Sequence, residues 1–200
     1  MKTQLKIFID FKSPASYFAW HGTQPLIEEF AGHLDALWCP FPVNVQTVPV
    51  KEAEEDRGQS HRRVRAQARQ NTHLFYAEQL GLPMQFAATP KGCDLALAIL
   101  SAPSELSLGD ATDFIQRAFK AYWAEAQDLN DPEILAALGA SPKALEWCLQ
   151  QDLGVHLATI KQQATDDHGV IDAPAYVIAD QIFIGREHLP WIREIIRGTD

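Results

Sequence analysis

The chain has three cysteines in 200 residues, Cys39, Cys93 and Cys148, and no two of them form a C-x-x-C pair. Disulfide exchange needs a thiolate attacking sulfur, and this spacing offers no local dithiol to supply it. An odd, scattered set suits a reducing compartment, with each cysteine a small buried hydrophobe. Cations are in the minority. Seventeen Lys and Arg against 26 Asp and Glu give a formal net charge of −9, which removes the electrostatic case for nucleic acid or an anionic membrane as a partner. No apolar run reaches membrane-spanning length. Met1-Lys2-Thr3 leads straight into a strand pattern, without the apolar core and cleavage site of a signal peptide. The cytoplasm is therefore the expected address. No internal repeat or low-complexity segment interrupts the chain, and no metal site is expected.

What is present is an ordinary globular balance, 46% hydrophobic and 22% charged, in a chain long enough to bury a substantial core. The organising stretch is Leu5 to Tyr17. Its first half, Leu5-Lys6-Ile7-Phe8-Ile9, is an apolar run that reads as a buried strand. Its second half starts a helix: Ser13 is a good N-cap, and Pro14 suits the first helical position. A strand feeding a helix this way sets the Ser13 hydroxyl beside unpaired backbone N–H groups at a positive dipole end, a ready anion site. The plainer alternative is that Ser13 only caps its helix.

The first helix is predicted from Ala15 to about Phe30. A second strand region is predicted between Leu34 and Pro49, best seen in 43–48, where Val43, Val45 and Thr47 share one face. Lys51 to about Asp166 then reads as an all-helical insert. It opens with an acidic stretch, 52–56, followed by a helix to Leu80 carrying His61, Arg62, Arg63, Arg65 and Arg69. Two readings stand for that arginine run: a solvated helix face, or a cationic side with Arg62, Arg65 and Arg69, about one turn apart, offered to a carboxylate substrate. Further helices are predicted at 94–100, 111–126, from Asp131-Pro132, from Ser141-Pro142 and from Val155. Trp123 and Trp147 read as core residues. The end returns to sheet: Ala175 to Ala179, a turn at Asp180-Gln181, and Ile182 to Gly185 make a hairpin, closed by a helix from Glu187 to Arg197. The pattern is βαβ, a helical insert, then ββα.

Several stretches in this order resemble the DsbA-like thioredoxin-fold group, in the branch of 2-hydroxychromene-2-carboxylate isomerases and kappa-class glutathione transferases. They are Asp10-Phe11-Lys12-Ser13-Pro14-Ala15-Ser16-Tyr17, Ala121-Tyr122-Trp123 with Asp128-Leu129-Asn130-Asp131-Pro132, Gly169-Val170 to Pro174, and Phe183 to Leu189. The resemblance implies an α/β thioredoxin-like fold with a large helical insertion, residues 1–50 and 167–200 forming the thioredoxin-like domain and 51–166 the insert domain.

It also implies roles. Thiol–disulfide members carry C-x-x-C where this chain has Ser13-Pro14-Ala15-Ser16, and two hydroxyls cannot exchange disulfides. In the isomerase and kappa branch the serine matching Ser13 faces the sulfur of glutathione and, with the helix start, stabilises the thiolate. Pro174 matches a cis-proline, so the Ala173–Pro174 bond is expected to be cis and the Ala173 backbone to pair with the cysteinyl part of glutathione. Glu187 stands where an aspartate binds the γ-glutamyl end; Arg186 departs from the usual small or amide residue, and His188 from an arginine. The segment after the second strand, glycine-rich in the isomerases, is charged here, so their aromatic substrate is not carried over. The leading expectation is a glutathione-dependent isomerase or transferase acting on a small electrophilic, carboxylate-bearing substrate; by analogy with relatives, a homodimer stays open. The alternatives are a redox-inactive thioredoxin-fold binding or chaperone-like module, and residual thiol chemistry through Cys39, Cys93 or Cys148.

Overall fold

A computed structural model describes residues 2–45, 47–51, 54–103 and 111–198. Strand β1 (Thr3–Ile9) lies inside a four-stranded sheet and runs parallel to β2 (Leu34–Pro40), from Thr3 opposite Leu34 to Ile9 opposite Pro40. On its other side it pairs antiparallel with β3 (Ala175–Ile178), which pairs antiparallel with β4 (Gln181–Ile184). The order is β2-β1-β3-β4. Alternation along β1 serves both faces of the sheet. Leu5, Ile7 and Ile9 join the larger buried cluster, whereas Phe8 joins a smaller one with Phe41, Ala164, Val170 and Ala175.

Helix α1 (Pro14–Glu29) starts at Ser13, whose side chain accepts from the Ser16 N–H. The insert contributes α2 (Arg57–Gln79), α3 (Asp94–Leu100), α4 (Ala111–Trp123), α5 (Pro132–Ala137), α6 (Pro142–Leu149) and α7 (Leu153–His168). A one-turn 3-10 helix, Arg186–His188, precedes the closing helix α8 (Leu189–Gly198). Asp131 and Ser141 cap α5 and α6 with a proline just inside, as their sequences require. The larger buried cluster runs without a break from β1 and α1 through Leu95–Ile99 of α3 and Phe114, Phe119 and Trp123 of α4. Among the described residues no helix is long and apolar enough to cross a membrane.

Two expectations need correction. The described residues of 43–48 are not in a strand; the strand is Leu34–Pro40, and Gln46 lies outside the described residues. Pro40 and Pro42 cannot donate to a ladder, and the Val43 N–H is drawn off to the carboxylate of Asp10 at 2.7 Å. The hairpin turn is Ala179-Asp180, both at positive φ (48° and 60°), so Gln181 already belongs to β4. Two central residues at positive φ give the twist that a tight hairpin needs. Of the acidic stretch before α2, Glu52 and Ala53 lie outside the described residues; Asp56 and Gln59 form a capping box, and Glu55 pairs with Arg63.

Candidate functional site

Ser13 is buried at the junction of β1, α1 and the Ala173–Pro174 segment. Its Oγ accepts the Ser16 N–H at 3.2 Å and donates to the Ala173 carbonyl at 3.5 Å, a long contact that leaves the hydroxyl loosely held. The Ala173–Pro174 peptide bond is cis. Ser16, fully buried, is spoken for: its Oγ accepts the Asp10 N–H at 3.2 Å. The hydroxyl at the helix start thus sits across from the segment before β3, with the positive end of a 16-residue helix behind it.

Asp10 fixes this loop from below. It is fully buried, and its carboxylate accepts the Lys12 N–H at 3.0 Å, the Val43 N–H at 2.7 Å and the Cys93 S–H at 3.3 Å, with Lys12 Nζ at 3.7 Å. Burial lifts its pKa above the usual carboxylate value, against the opposing pull of Lys12 and of the N–H donors. One side chain therefore ties the loop before Ser13, the 43–48 segment and the start of α3. Trp123 holds the same loop from the insert: it is buried, and its Nε1–H donates to the Phe11 carbonyl at 3.0 Å. Sequence reasoning read Trp123 as core and gave Asp10 no role of its own; the Trp123 bond and the Asp10 bonds to Val43 and Cys93 have no local sequence signal, because their partners lie 112, 33 and 83 positions away.

Beside Pro14 opens a cavity of about 750 Å³. Its walls come from the described residues of 43–48, from Ala66, Arg69, Gln70 and His73 of α2, from 85–91, and from Tyr122 and Trp123. The valines expected in a strand line this cavity instead. Lys12, Arg69 and Lys91 are the cations on its lining, and no carboxylate is among the described lining residues. Arg62 and Arg65 are exposed on α2 and do not line it. The spacing 66, 69/70, 73 is the i, i+3/i+4, i+7 face of a helix, so His73 was within reach of the same rule that grouped the arginines.

Gly185, Arg186 and Glu187 follow β4. Arg186 is half-buried, its guanidinium 5.2 Å from the Phe18 ring centre and 5.6 Å from that of Tyr76, a cation held between two aromatic faces. Glu187 is exposed and its carboxylate folds back over Gly185, where an added Cβ would collide with it. Gly185 has φ 102° and ψ 150°, backbone that only glycine adopts without strain. Gly185→Ala is expected to cost about 1–3 kcal/mol in urea unfolding; an unchanged midpoint would mean the turn relaxes freely. His188 packs its ring on Phe183. The Ser13 face and the Arg186–Glu187 turn both adjoin α1, whereas the arginines at 62 and 65 stand apart.

The three cysteines are free, and Cys93 and Cys148 are buried. Burial pushes the Cys39 and Cys148 thiols up to about 11 and raises Cys93 well above its usual value, with Asp10 adding to the Cys93 shift. All three are held as thiols, the unreactive form.

The DSBA-like thioredoxin domain matches residues 4–197. The chain belongs to this family. Among solved structures, a 2-hydroxychromene-2-carboxylate isomerase aligns over 98% of this chain and 95% of its own, with TM-score 0.71 and 16% identity. A probable DsbA oxidoreductase from Streptomyces coelicolor covers 99% and 91%, at TM-score 0.68 and 15% identity. The cytosolic disulfide reductase DsbM from Pseudomonas aeruginosa, solved with GSH, covers 98% of both chains at TM-score 0.63 and 17% identity. No curated protein matches the sequence. At these identities the likeness carries the fold, and the site must carry the function.

Proposed function

We propose that this DsbA-like protein is a glutathione-dependent isomerase or transferase for a small electrophilic, carboxylate-bearing substrate, with Ser13 stabilising the glutathione thiolate. The observation that carries this reading is a loosely held hydroxyl, not a thiol, at the N-terminus of α1 opposite Ala173. The donor set fits glutathione in chemistry. Ser13 and the helix start suit a thiolate, the backbone of Ala173 and Pro174 a peptide, and Arg186 and Glu187 the carboxylate and ammonium of an amino-acid end. When bound, glutathione would supply the nucleophilic sulfur that this chain's own buried thiols do not. Ser13 would stabilise negative charge on that sulfur by donating a hydrogen bond to it, giving up the long contact to Ala173. The cation-lined cavity beside Pro14 suits an anionic electrophile. Arg62 and Arg65 belong to the proposal only as outer charges that draw such a substrate toward α2. A cytosolic setting and a small-molecule partner are part of the same reading.

The test is calorimetric titration of glutathione into the wild type and Ser13→Ala. Losing a hydrogen bond to a charged group is worth about 1.5–3 kcal/mol, so the variant should bind roughly 10- to 100-fold more weakly. A wild type with no saturable heat would end the proposal. That outcome would favour a redox-inactive binding or chaperone-like module, for which the exposed Val64, Phe75 and Tyr76 of α2 are the supporting observation.

A further inference from the structure

Five titratable side chains line the cavity: Lys12, Arg69, His73, Lys91 and Tyr122. Lys12 and Tyr122 are each held in one protonation state. Lys12 lies 3.7 Å from Asp10 and 3.8 Å from Asp94, and these carboxylates favour its charged form. Arg69 and Lys91 offer an anion only hydrogen-bond donors. The Tyr122 hydroxyl donates to the Lys91 carbonyl at 3.2 Å, and burial raises its pKa far beyond the neutral range. His73 is different. Its ring stacks on Phe86, 6.4 Å between centres and 22° between planes, and leans on Phe18 at 6.0 Å. The residue is half-buried. Aromatic packing holds the ring, and His73 is one of the residues that line the cavity.

Resting on the glutathione-dependent reading above, we propose that His73 is the catalytic base and acid of the acceptor cavity, moving one proton between the thiol and an anionic electrophile bound there. The ring is presented by α2, one helical turn beyond Arg69, in a cavity that also reaches Pro14 at the start of α1. His73 takes up the thiol proton as glutathione binds, leaving the thiolate that Ser13 stabilises, and the sulfur then bonds to the electrophilic carbon. His73 then returns that proton to the carbon next to the carbonyl. One S–H bond and one π bond are lost, one C–S and one C–H bond are gained, and the imidazole ends neutral as it began. No oxidant or further reactant is needed.

The groups facing His73 agree with this role. Arg69 lies on its own helix, Arg186 beyond the Phe18 ring, and Lys12 and Lys91 elsewhere on the cavity lining. All are cations. Desolvation, and then Arg69, lower the His73 pKa, so the neutral base is the resting form at pH 7. An anionic substrate would offset the surrounding positive charge and raise that pKa, readying the ring to hold the proton it accepts.

The experiment uses ethacrynic acid, an α,β-unsaturated ketone carrying a carboxylate, with glutathione, across pH 5–9. Wild type, His73→Gln and His73→Phe are compared; the Phe variant keeps the stack on Phe86 and removes only the nitrogens. Both variants should lose about 100-fold in kcat, keep glutathione affinity within about threefold of wild type, and lose an acidic limb lying below the ordinary imidazole range. Independently of turnover, the His73 ring resonance in NMR should titrate at low pH and move upward when saturated dihydro-ethacrynic acid binds. A Phe variant as fast as wild type, an unmoved His73 midpoint, or no wild-type rate above that of buffer would each overturn the proposal. If wild type fails to bind glutathione, the thiol reading falls and takes the base role with it; normal binding with fully active variants removes His73 alone.

Discussion

Asp10→Ala is expected to destabilise the protein by about 3–5 kcal/mol, the range for breaking a buried charged group away from its partners. The substitution orphans the Val43 N–H, the Lys12 N–H and the Cys93 S–H together, and leaves Lys12 beside Asp94 alone. Each unsatisfied buried donor costs about 1–3 kcal/mol, less where water reaches it. Urea unfolding should show the loss in the midpoint with an unchanged slope; a change under about 1 kcal/mol would mean that water replaces the carboxylate at little cost. Asp10→Asn separates charge from hydrogen bonding. Its amide keeps one acceptor oxygen and turns an NH2 toward a donor, so it should lose less than Ala does. The pH dependence has a definite sign. Because burial raises the folded-state pKa of Asp10, its protonation favours folding: this contribution is complete below the unfolded value of about 3.9 and is lost as pH rises through the folded value. The advantage of wild type over Asp10→Asn should therefore narrow with rising pH across that window. Function should follow, because the bond anchors Val43, one of the residues that line the cavity.

Trp123→Ala is expected to cost about 3–5 kcal/mol as well, the range for deleting a buried large aromatic. Trp123 stacks nearly parallel to Tyr17, 9° between planes at 6.4 Å, and meets Phe86 edge-on at 5.4 Å. Tyr17 in turn stacks on Phe119 at 5.4 Å. Removing the indole therefore opens a void between α1, α4 and the cavity, and frees the Phe11 carbonyl two residues before Ser13. Trp123→Phe keeps most of the burial and drops only the N–H; it should lose about 0.5–1.5 kcal/mol. Glutathione affinity should fall with Trp123→Ala more than stability alone explains, since the loop that aims Ser13 loses a fixed point. Affinity equal to wild type in the folded fraction would show that Asp10 alone holds the loop.

The sequence by itself determined the elements whose causes are local. Ser13-Pro14, Asp131-Pro132 and Ser141-Pro142 each start a helix because a side-chain cap and a fixed proline φ act within three residues. The apolar run Leu5–Ile9 and the closing hairpin were legible for the same reason, and the order of motifs led to the DsbA-like family. Alternating valines at 43–48 misled, since alternation records which residues are apolar and not which N–H groups are free to pair. Their fate was decided by Asp10, 33 positions earlier, whose buried carboxylate outcompetes a strand partner for Val43. The arginine run was legible as charge but not as direction: helix geometry puts Arg69 and His73 on the cavity and leaves Arg62 and Arg65 outside it. Arg186 looked like a departure from the family, and only tertiary packing sets it between Phe18 and Tyr76, residues brought together from α1 and α2. Local chemistry wrote the helix starts and the strand; long-range hydrogen bonds and packing, which no window of sequence contains, decided what faces the cavity.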